Sequence, residues 1–125
     1  YVQNKGTISL NAGMDYIYVP NKCIGPFRIS SYTEMIGSCT NLNKNMTAGP
    51  VVTIVDATSW QFYKSGILTN CPLKTLNHCV LVVASTDTYW QLKNTWGVAW
   101  GESGYIRIGP GNTCGLCTIS IRPIG

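Results

Sequence analysis

Hydrophobic positions along this chain gather in short runs that are rich in β-branched and aromatic residues, with polar or glycine-containing breaks between them. Runs of this kind predict buried strands. One stretch, residues 40–48, instead favours a helix, with Thr40 as its N-cap and Gly49 as its stop. We predict strands at residues 51–55, 79–84, 89–93, 105–108 and 117–121, and a less regular strand within residues 27–36.

The N-terminal residues follow a different pattern. Residues 1–6 are typical of the last turn of a helix that ends at Gly6, which leads us to expect an upstream segment separated from this chain. Residues 7–26 are turn-rich and predict an extended connector. We therefore expect two regions: residues 1–26, which belong with a helical part, and a β-rich domain of residues 27–125. The mostly antiparallel pattern indicates an α+β fold built on a small barrel or sandwich.

Composition limits the partners that this chain can have. Hydrophobic residues make up 45% of it, enough for a real core, whereas charged residues make up only 11%, against about 25% in ordinary soluble domains. With so few charges, we infer that another polypeptide covers part of the surface. The net charge of +4 is small and scattered, which argues against nucleic acid as a partner. No apolar stretch approaches the ~18 residues of a membrane span.

The candidate chemistry centres on the single histidine, His78, which precedes the apolar run of residues 79–84. Asn94 closes the next run, so the two side chains can meet across a sheet. An asparagine oxygen that accepts the ring N–H fixes the tautomer and leaves the other nitrogen as a base. Trp96 and Trp100 follow among glycines, which allow turns that pack the indoles over the pair. A lone histidine beside a strand is more often structural, and the surrounding residues are what reverse that preference.

These residues resemble the His and Asn blocks of papain-like (cathepsin-type) cysteine proteases. The resemblance implies a papain-like fold of which this chain is the C-terminal, β-rich part, with His78 and Asn94 as catalytic residues and no cofactor. The family's nucleophile motif, C-G-S-C-W, and its oxyanion glutamine do not occur in this sequence. The resemblance rests on Asn77-His78-Cys79-Val80, Lys93-Asn94-Thr95-Trp96-Gly97, Trp100-Gly101-Glu102-Ser103-Gly104-Tyr105, Asp15-Tyr16-Ile17-Tyr18, Gly49-Pro50-Val51-Val52, Cys114-Gly115-Leu116 and Phe62-Tyr63-Lys64-Ser65-Gly66-Ile67, the last matching F-x-x-Y-x-x-G-I with a shortened spacing.

The resemblance implies partners as well. The nucleophilic cysteine and the glutamine would come from an N-terminal papain-like chain, and the substrates would be peptides or proteins. Cys71 and Cys114 match a family disulfide, and Cys23 matches a cysteine whose partner lies in the missing N-terminal segment, which implies an inter-chain bond. The residues alone leave the pairing of Cys39, Cys79 and Cys117 open, with Cys39–Cys117 as one choice.

The cysteines and a glycosylation sequon lead to an expectation about the cellular compartment. Six cysteines in 125 residues suit an oxidising compartment. The sequon at Asn45 is a candidate glycosylation site and adds weak support for a secretory route. With the resemblance, these features lead us to expect a lysosome- or vacuole-like compartment, or secretion.

Substrate contacts are also implied by the resemblance. Cys79 falls in the pocket for the substrate's second side chain, with an apolar lining that favours apolar side chains and has no acid to pair with arginine. For Ile54 and Ile119, plain core positions are a serious alternative. Cys79 is poorly directed to be the nucleophile, because neighbouring residues in a strand point to opposite faces. The implied substrate-binding residues are Asn77, Cys79, Trp96, Trp100, Ile54 and Ile119.

Two other functions stay open at this point. The chain could be a non-catalytic papain-fold subunit with a structural or regulatory role. Cys114-Gly115-Leu116-Cys117 could bind zinc together with Cys71, Cys79 or His78, but a single C-x-x-C is a weak signal and we expect no metal. Departures from the family pattern, such as Val83-Ala84-Ser85-Thr86 in place of V-G-Y-G, remove no catalytic group.

Overall fold

The computed structural model describes residues 29–125. The chain divides into two compact units, one of residues 1–33 with 123–125 and one of residues 34–122. In the first unit, the backbone N–H and the hydroxyl of Ser30 both donate to the carbonyl of Ile124, at 2.7 and 3.0 Å. The predicted helix end at residues 1–6, the connector at 7–26, the motif at 15–18 and Cys23 lie outside the described residues. The domain boundary at residue 26 stays a prediction.

Seven strands build the sheet: β1 (Ser31–Ile36), β2 (Val51–Val55), β3 (Ile67–Leu68), β4 (His78–Ser85), β5 (Trp90–Lys93), β6 (Tyr105–Ile108) and β7 (Ile119–Ile124). Their order is β1-β7-β2-β4-β5-β6-β3. The pairs that run from β7 through β2, β4 and β5 to β6 are antiparallel, and β3 lies parallel to β6. Within residues 29–125, one short α-helix accompanies this mixed sheet, and the expected α+β class is confirmed.

Alternation along the strands determines which side of the sheet carries the core. In β2, Val51, Thr53 and Val55 are buried, whereas Val52 and Ile54 are at least partly exposed. Because successive side chains point to opposite faces, the register with β4 sets Val80 and Val82 beside the buried set. The largest fully buried side chains are Trp60, Leu42, Leu92, Ile106, Ile108 and Leu116.

The helix, α1 (Cys39–Asn45), begins two residues earlier than an N-cap at Thr40 predicts. Its N-cap is Ser38, whose hydroxyl oxygen accepts the backbone N–H of Asn41 at 3.1 Å. The prediction of Thr40 as N-cap was therefore wrong, because either residue type can cap a helix and only the local backbone decides between them. A 3-10 turn, Met46–Ala48, follows and ends at Gly49, where φ is 141°.

The sequon residue Asn45 is the last residue of α1. Its Nδ2 donates to the carbonyl of Asn41 at 2.9 Å, and its Oδ1 accepts from Arg122 Nε at 3.2 Å. Glycosylation at this side chain stays a prediction.

No helix in residues 29–125 is long and apolar enough to cross a membrane.

Strands β2 and β6 have the predicted bounds, and β1 lies within its predicted range. Strand β4 is one residue longer at each end than predicted, β5 begins one residue later, and β7 begins two residues later and ends three residues later. Residues 117 and 118 do not join β7, because Thr118 N–H donates to the carbonyl of Gly115 in a turn. Strand β3 was not predicted, since its two residues form too short a run to show a period.

Candidate functional site

The centre of the site is a hydrogen bond between two strand ends. His78 is the first residue of β4, and Asn94 directly follows β5. Because β4 and β5 are antiparallel neighbours, the start of one meets the end of the other. His78 Nε2 lies 2.7 Å from Asn94 Oδ1. The sheet therefore brings together the two residues that the sequence singled out as a catalytic pair.

The amide of Asn94 is held in one orientation. Its Oδ1 also accepts the backbone N–H of Thr95 at 2.8 Å, and its own backbone N–H donates to the carbonyl of Gly104 at 3.0 Å. An amide oxygen only accepts hydrogen bonds, so the imidazole proton of His78 belongs on Nε2 and the lone pair on Nδ1. Asn94 is only 6% exposed, and its Nδ2 has no hydrogen-bond partner among residues 29–125.

Aromatic rings enclose the imidazole on two sides. Trp96 stacks on His78 with ring centroids 5.1 Å apart and planes 28° apart, and Trp60 meets it edge-on at 6.2 Å. Trp100 packs against both, stacked on Trp60 at 6.1 Å and edge-on to Trp96 at 5.1 Å. Trp96 stays 42% exposed, so it forms the outer wall of the site. The hydrogen bond between His78 and Asn94 is partly buried beside these rings.

Trp60 is the site residue that the sequence analysis missed. It is fully buried, whereas Phe62, which was matched to the aromatic position of the family pattern, is 84% exposed. Trp60 lies three residues before Tyr63, so W-x-x-Y-x-x-G-I through Gly66 and Ile67 keeps the full spacing. The shortened spacing inferred from Phe62 was wrong. The usable signal was this spacing, with tryptophan standing for the pattern's phenylalanine.

The apolar pocket residues lie in a row across three strands. Ile54 in β2 is paired with Cys79 in β4. Thr53 is paired with Ser120, and this register continues to put Ile119 at the level of Ile54. Cys79 is exposed and free, and the two isoleucines are partly buried. The three side chains share one face of the sheet, opposite to the face of Val80.

Asn77 and Trp100 have structural contacts of their own. The Oδ1 of Asn77 accepts the backbone N–H of Ala57 at 2.9 Å, and its Nδ2 donates to the hydroxyl of Thr58 at 3.1 Å. Trp100 Nε1 donates to the carbonyl of Trp60 at 3.1 Å. Both side chains therefore hold the residue 57–60 segment, and substrate binding by them stays a prediction.

Among the described residues, two disulfides hold the loops around the site. Cys71 bonds to Cys114, the pair implied by the resemblance, and Cys39 bonds to Cys117. Loops of this length stabilise a fold by roughly 3–5 kcal/mol on the chain-entropy account. Both sulfurs of the C-x-x-C at Cys114 and Cys117 are thus committed to disulfides, and neither is a thiolate available to zinc.

Carboxylates near the site serve to fix loops. Glu102 forms a two-pronged ion pair with Arg107, with both N–O distances at 2.8 Å, and accepts the backbone N–H of Gly66 at 3.3 Å. Hydrogen bonds from Arg107, followed by that from Gly66, lower the pKa of Glu102 to about 2. In this way Glu102 fastens the turn that carries Tyr63 to the loop after Trp100.

Asp56 performs a similar task on the other side. Its buried carboxylate accepts from the hydroxyl and backbone N–H of Thr58 at 2.6 and 3.0 Å, and from the backbone N–H groups of Lys74 and Thr75 at 2.8 and 3.1 Å. The hydroxyl of Thr58 and then the backbone donors hold the pKa of Asp56 well below its usual range. This carboxylate joins the segment that carries Trp60 to the loop that leads to His78.

Comparison with known proteins relates this chain to one family of enzymes. The chain matches the family described as papain family cysteine protease over residues 16–124. It is 46% identical over 90 residues to cathepsin L 1 of Paramecium tetraurelia, covering 71% of this chain and 28% of that protein. It is 34% identical to silicatein of Petrosia ficiformis over 98% of this chain and 41% of that protein. The chain thus spans less than half the length of these relatives.

Solved structures agree with this match. A cysteine protease of Carica candamarcensis in complex with E-64 superposes with a TM-score of 0.74 at 29% identity, covering 82% of this chain and 52% of that one. Digestive procathepsin L 3 of the Tenebrio molitor larval midgut gives a TM-score of 0.72 at 37% identity, covering 80% of this chain and 36% of that one. Since the family match covers most of the sequence, the chain belongs to the papain family of cysteine proteases.

Proposed function

We propose that this chain is the C-terminal part of a papain-like cysteine endopeptidase, with His78 as general base and acid and Asn94 as the residue that orients it. The nucleophilic cysteine and an oxyanion glutamine would come from an upstream chain. The observation that carries this proposal is the 2.7 Å contact between His78 Nε2 and Asn94 Oδ1, which leaves Nδ1 as the basic atom. On this proposal, the 125-residue chain is inactive by itself.

The reaction follows from that geometry. The thiol of the upstream cysteine gives its proton to His78 Nδ1, and the thiolate attacks the scissile carbonyl carbon. The imidazolium then donates this proton to the leaving amine as the C–N bond breaks, and a thioester remains. A water molecule next gives a proton to Nδ1 while its oxygen attacks the thioester, and the thiol regains the proton as the carboxylic acid product leaves.

An apolar sheet face supports the need for a second chain. In ordinary half-buried strands, one face is polar, but here the outer face of β2, β4 and β7 is apolar as well. Direct strand pairing joins its members into neighbouring rows. An upstream papain-like chain, disulfide-linked through Cys23, is the partner we propose, so that part of this face is covered and part lines the substrate cleft. The face comprises Val52, Ile54, Cys79, Leu81, Ile119 and Ile121, all partly or largely exposed.

Substrate choice would depend on the row formed by Ile54, Cys79 and Ile119. These side chains offer an apolar wall of modest size and no carboxylate. We therefore propose peptides and proteins with an apolar side chain at the second residue before the scissile bond. Two disulfides between described cysteines suit an oxidising setting, which supports a lysosome- or vacuole-like compartment or secretion.

The proposal is tested by the mass of the native protein under non-reducing conditions after alkylation of free thiols. We expect a species heavier than 13.6 kDa, with Cys23 mapped to a cysteine outside residues 1–125 and E-64 attached to a thiol of the companion. A native protein of this chain alone, with Cys23 paired inside it, would contradict the two-chain proposal.

A further inference from the structure

Trp60 connects a disulfide to the imidazole of the site. Its indole Nε1 donates to Cys114 Sγ at 3.4 Å, and its ring meets His78 edge-on at a centroid distance of 6.2 Å and an interplanar angle of 90°. An indole N–H can only donate. Because Trp60 is fully buried, no water can replace that acceptor, and the hydrogen bond to the sulfur contributes to the orientation of the ring.

The segment around Trp60 makes further contacts with the same disulfide. The backbone N–H of Asp56 donates to the carbonyl of Cys114 at 2.8 Å, and the hydroxyl of Ser59 lies 3.7 Å from Cys71 Sγ. Residues 56–60 are therefore held against both half-cystines, and not only by packing of the indole.

The other end of this segment is joined to the residue before His78. Asn77 accepts the backbone N–H of Ala57 through its side chain, and its backbone N–H donates to the carbonyl of Val55. The disulfide, residues 56–60 and the start of β4 thus form one connected set of contacts.

We infer that Trp60 is a positioning residue for His78 and that the Cys71–Cys114 disulfide acts on the imidazole through it. When alanine replaces Cys114, the buried indole N–H loses the sulfur that accepts it, and an unsatisfied buried donor is costly enough to turn the ring toward another acceptor. That rotation moves the ring edge that confines His78, so the imidazole samples orientations in which Nε2 no longer donates to Asn94. The catalytic importance of this effect rests on the proposed function, whereas the coupling itself does not.

The test uses the fact that the chain has one histidine. The native assembly is produced with 15N-histidine, its free thiols are alkylated so that no thiolate–imidazolium pair forms, and the two ring nitrogens of His78 are observed by NMR at a pH where the imidazole is neutral. A fixed neutral tautomer gives widely separated 15N shifts, which converge when tautomers exchange, and ring-current differences are small on that scale. We compare Cys71→Ala/Cys114→Ala in the native background and in a Trp60→Phe background, with Cys39→Ala/Cys117→Ala as the matched control.

We expect loss of the Cys71–Cys114 bond to bring the two shifts together in the native background, and to add less than half of that change when Trp60 is already phenylalanine. The control should leave the shifts apart. An equal change in both backgrounds, or no change in either, would overturn the inference. Should the double alanine variant fail to fold, Trp60→Phe with both disulfides intact is compared with Trp90→Phe, whose indole donates to Gly111. Convergence in Trp60→Phe alone supports the inference, and unchanged shifts refute it.

Activity separates this inference from the proposed function. If the assembled enzyme is inactive but the 15N coupling is present, the proposed function fails and the positioning by Trp60 stands. If the enzyme is active and the coupling is absent, only the inference fails.

Discussion

The side-chain oxygen of Asn94 lies 2.7 Å from His78 Nε2 and accepts a second hydrogen bond from the backbone N–H of Thr95 at 2.8 Å. Two donors on one oxygen fix the amide plane, and the amide plane fixes the imidazole. Asn94 is neutral, so it cannot stabilise an imidazolium as a carboxylate would. In the proposed function, the contribution of Asn94 is therefore the orientation of the imidazole.

This assignment predicts different losses for the two residues in the assembled enzyme. Asn94→Ala should lower kcat by about 10- to 100-fold, the scale expected for a misoriented group, with KM nearly unchanged. His78→Ala removes proton transfer and should cost at least the ~10²–10⁴-fold of general acid–base catalysis. The measurement is steady-state peptide hydrolysis.

Lys93→Ala is the matched control, because Lys93 is the exposed neighbour of Asn94. This substitution should leave kcat unchanged.

The rate of thiol alkylation, measured against pH, provides a second test. In the native assembly, the imidazolium should hold the pKa of the upstream thiol below its free value of about 8.5, and His78→Ala should raise it toward that value. A native thiol that titrates near 8.5 in both proteins would favour the non-catalytic subunit.

The 125-residue chain alone should hydrolyse no peptide and bind no E-64 covalently. Cys79 is the free cysteine among the described residues, and as the neighbour of His78 in β4 it points to the opposite face of the sheet. The check is a peptidase assay and intact mass after incubation with E-64. Addition of the inhibitor to Cys79 with concurrent turnover would show that this thiol is a nucleophile after all.

The pair at the centre of the site could be predicted from the sequence because His78 begins one clear apolar run and Asn94 closes the next. Trp60 could not be found in the same way, because it lies outside those apolar runs. The phenylalanine of the family pattern was matched to Phe62 instead. The spacing from Trp60 to Tyr63 was the local signal for Trp60, but it requires tryptophan to replace the pattern's phenylalanine. Burial decides between the two residues, since Phe62 is 84% exposed and Trp60 is fully buried.

Long-range pairing limited the prediction of the fold. Cys39 and Cys117 are 78 residues apart in sequence, and no local feature selects that bond over one to Cys79. The pairing of β3 with β6 depends in the same way on the sheet that is already formed around it. The capping residue Ser38 was missed for a different reason, because Ser38 and Thr40 could both cap the helix by residue type alone.

Acid should weaken the ion pair between Glu102 and Arg107. The pKa of Glu102 falls from 4.5 to about 2 in the folded protein, so its contribution to stability is complete above pH 4.5 and is lost as pH falls from there toward 2. Glu102→Gln should therefore lower the Tm at neutral pH, and its difference from the native protein should shrink through that window. Glu34→Gln, at an exposed position, is the control and should show no such pH dependence.

Asp56→Asn should destabilise the protein although it preserves size. One side-chain oxygen can still accept from Thr58, but the new NH₂ group would face the backbone N–H groups of Lys74 and Thr75, which now donate to Oδ2. The side-chain NH₂ and the two backbone N–H groups are all donors, so in this buried site each of them would lack an acceptor. Thermal unfolding at neutral pH should show a lower Tm, with Asp87→Asn in an exposed turn as the control.

The pH dependence of the Asp56 contribution follows from the same contacts. Its pKa is lowered from the ordinary 3.8, so the stabilisation is present above that pH and is lost as pH falls further below it. The Tm difference between Asp56→Asn and the native protein should accordingly be constant from neutral pH down to about 4. A difference that shrinks well above pH 4 would mean that the carboxylate is not held by these donors.

The apolar row across β2, β4 and β7 makes a prediction about substrate choice in the assembled enzyme. Ile54 and Cys79 are directly paired, and Ile119 continues the row without any acid. Peptides with leucine at the second residue before the scissile bond should therefore have a higher kcat/KM than peptides with arginine there. Ile119→Glu should raise kcat/KM for the arginine peptide by about tenfold, the effect of about 1.4 kcal/mol, since a carboxylate can bind a guanidinium through two hydrogen bonds.

Ile121→Glu is the matched control for this change. Ile121 lies two residues further along β7, on the same face of the sheet, and is paired with Val52 in the next row. A carboxylate there adds the same charge to the same strand but lies outside the proposed pocket, so the preference for leucine should persist. If both glutamate variants raise arginine cleavage equally, the charge acts over the whole surface and the pocket assignment is wrong. If Ile119→Glu lowers kcat/KM for both peptides alike, Ile119 belongs to the core, which is the alternative that the sequence analysis left open for it.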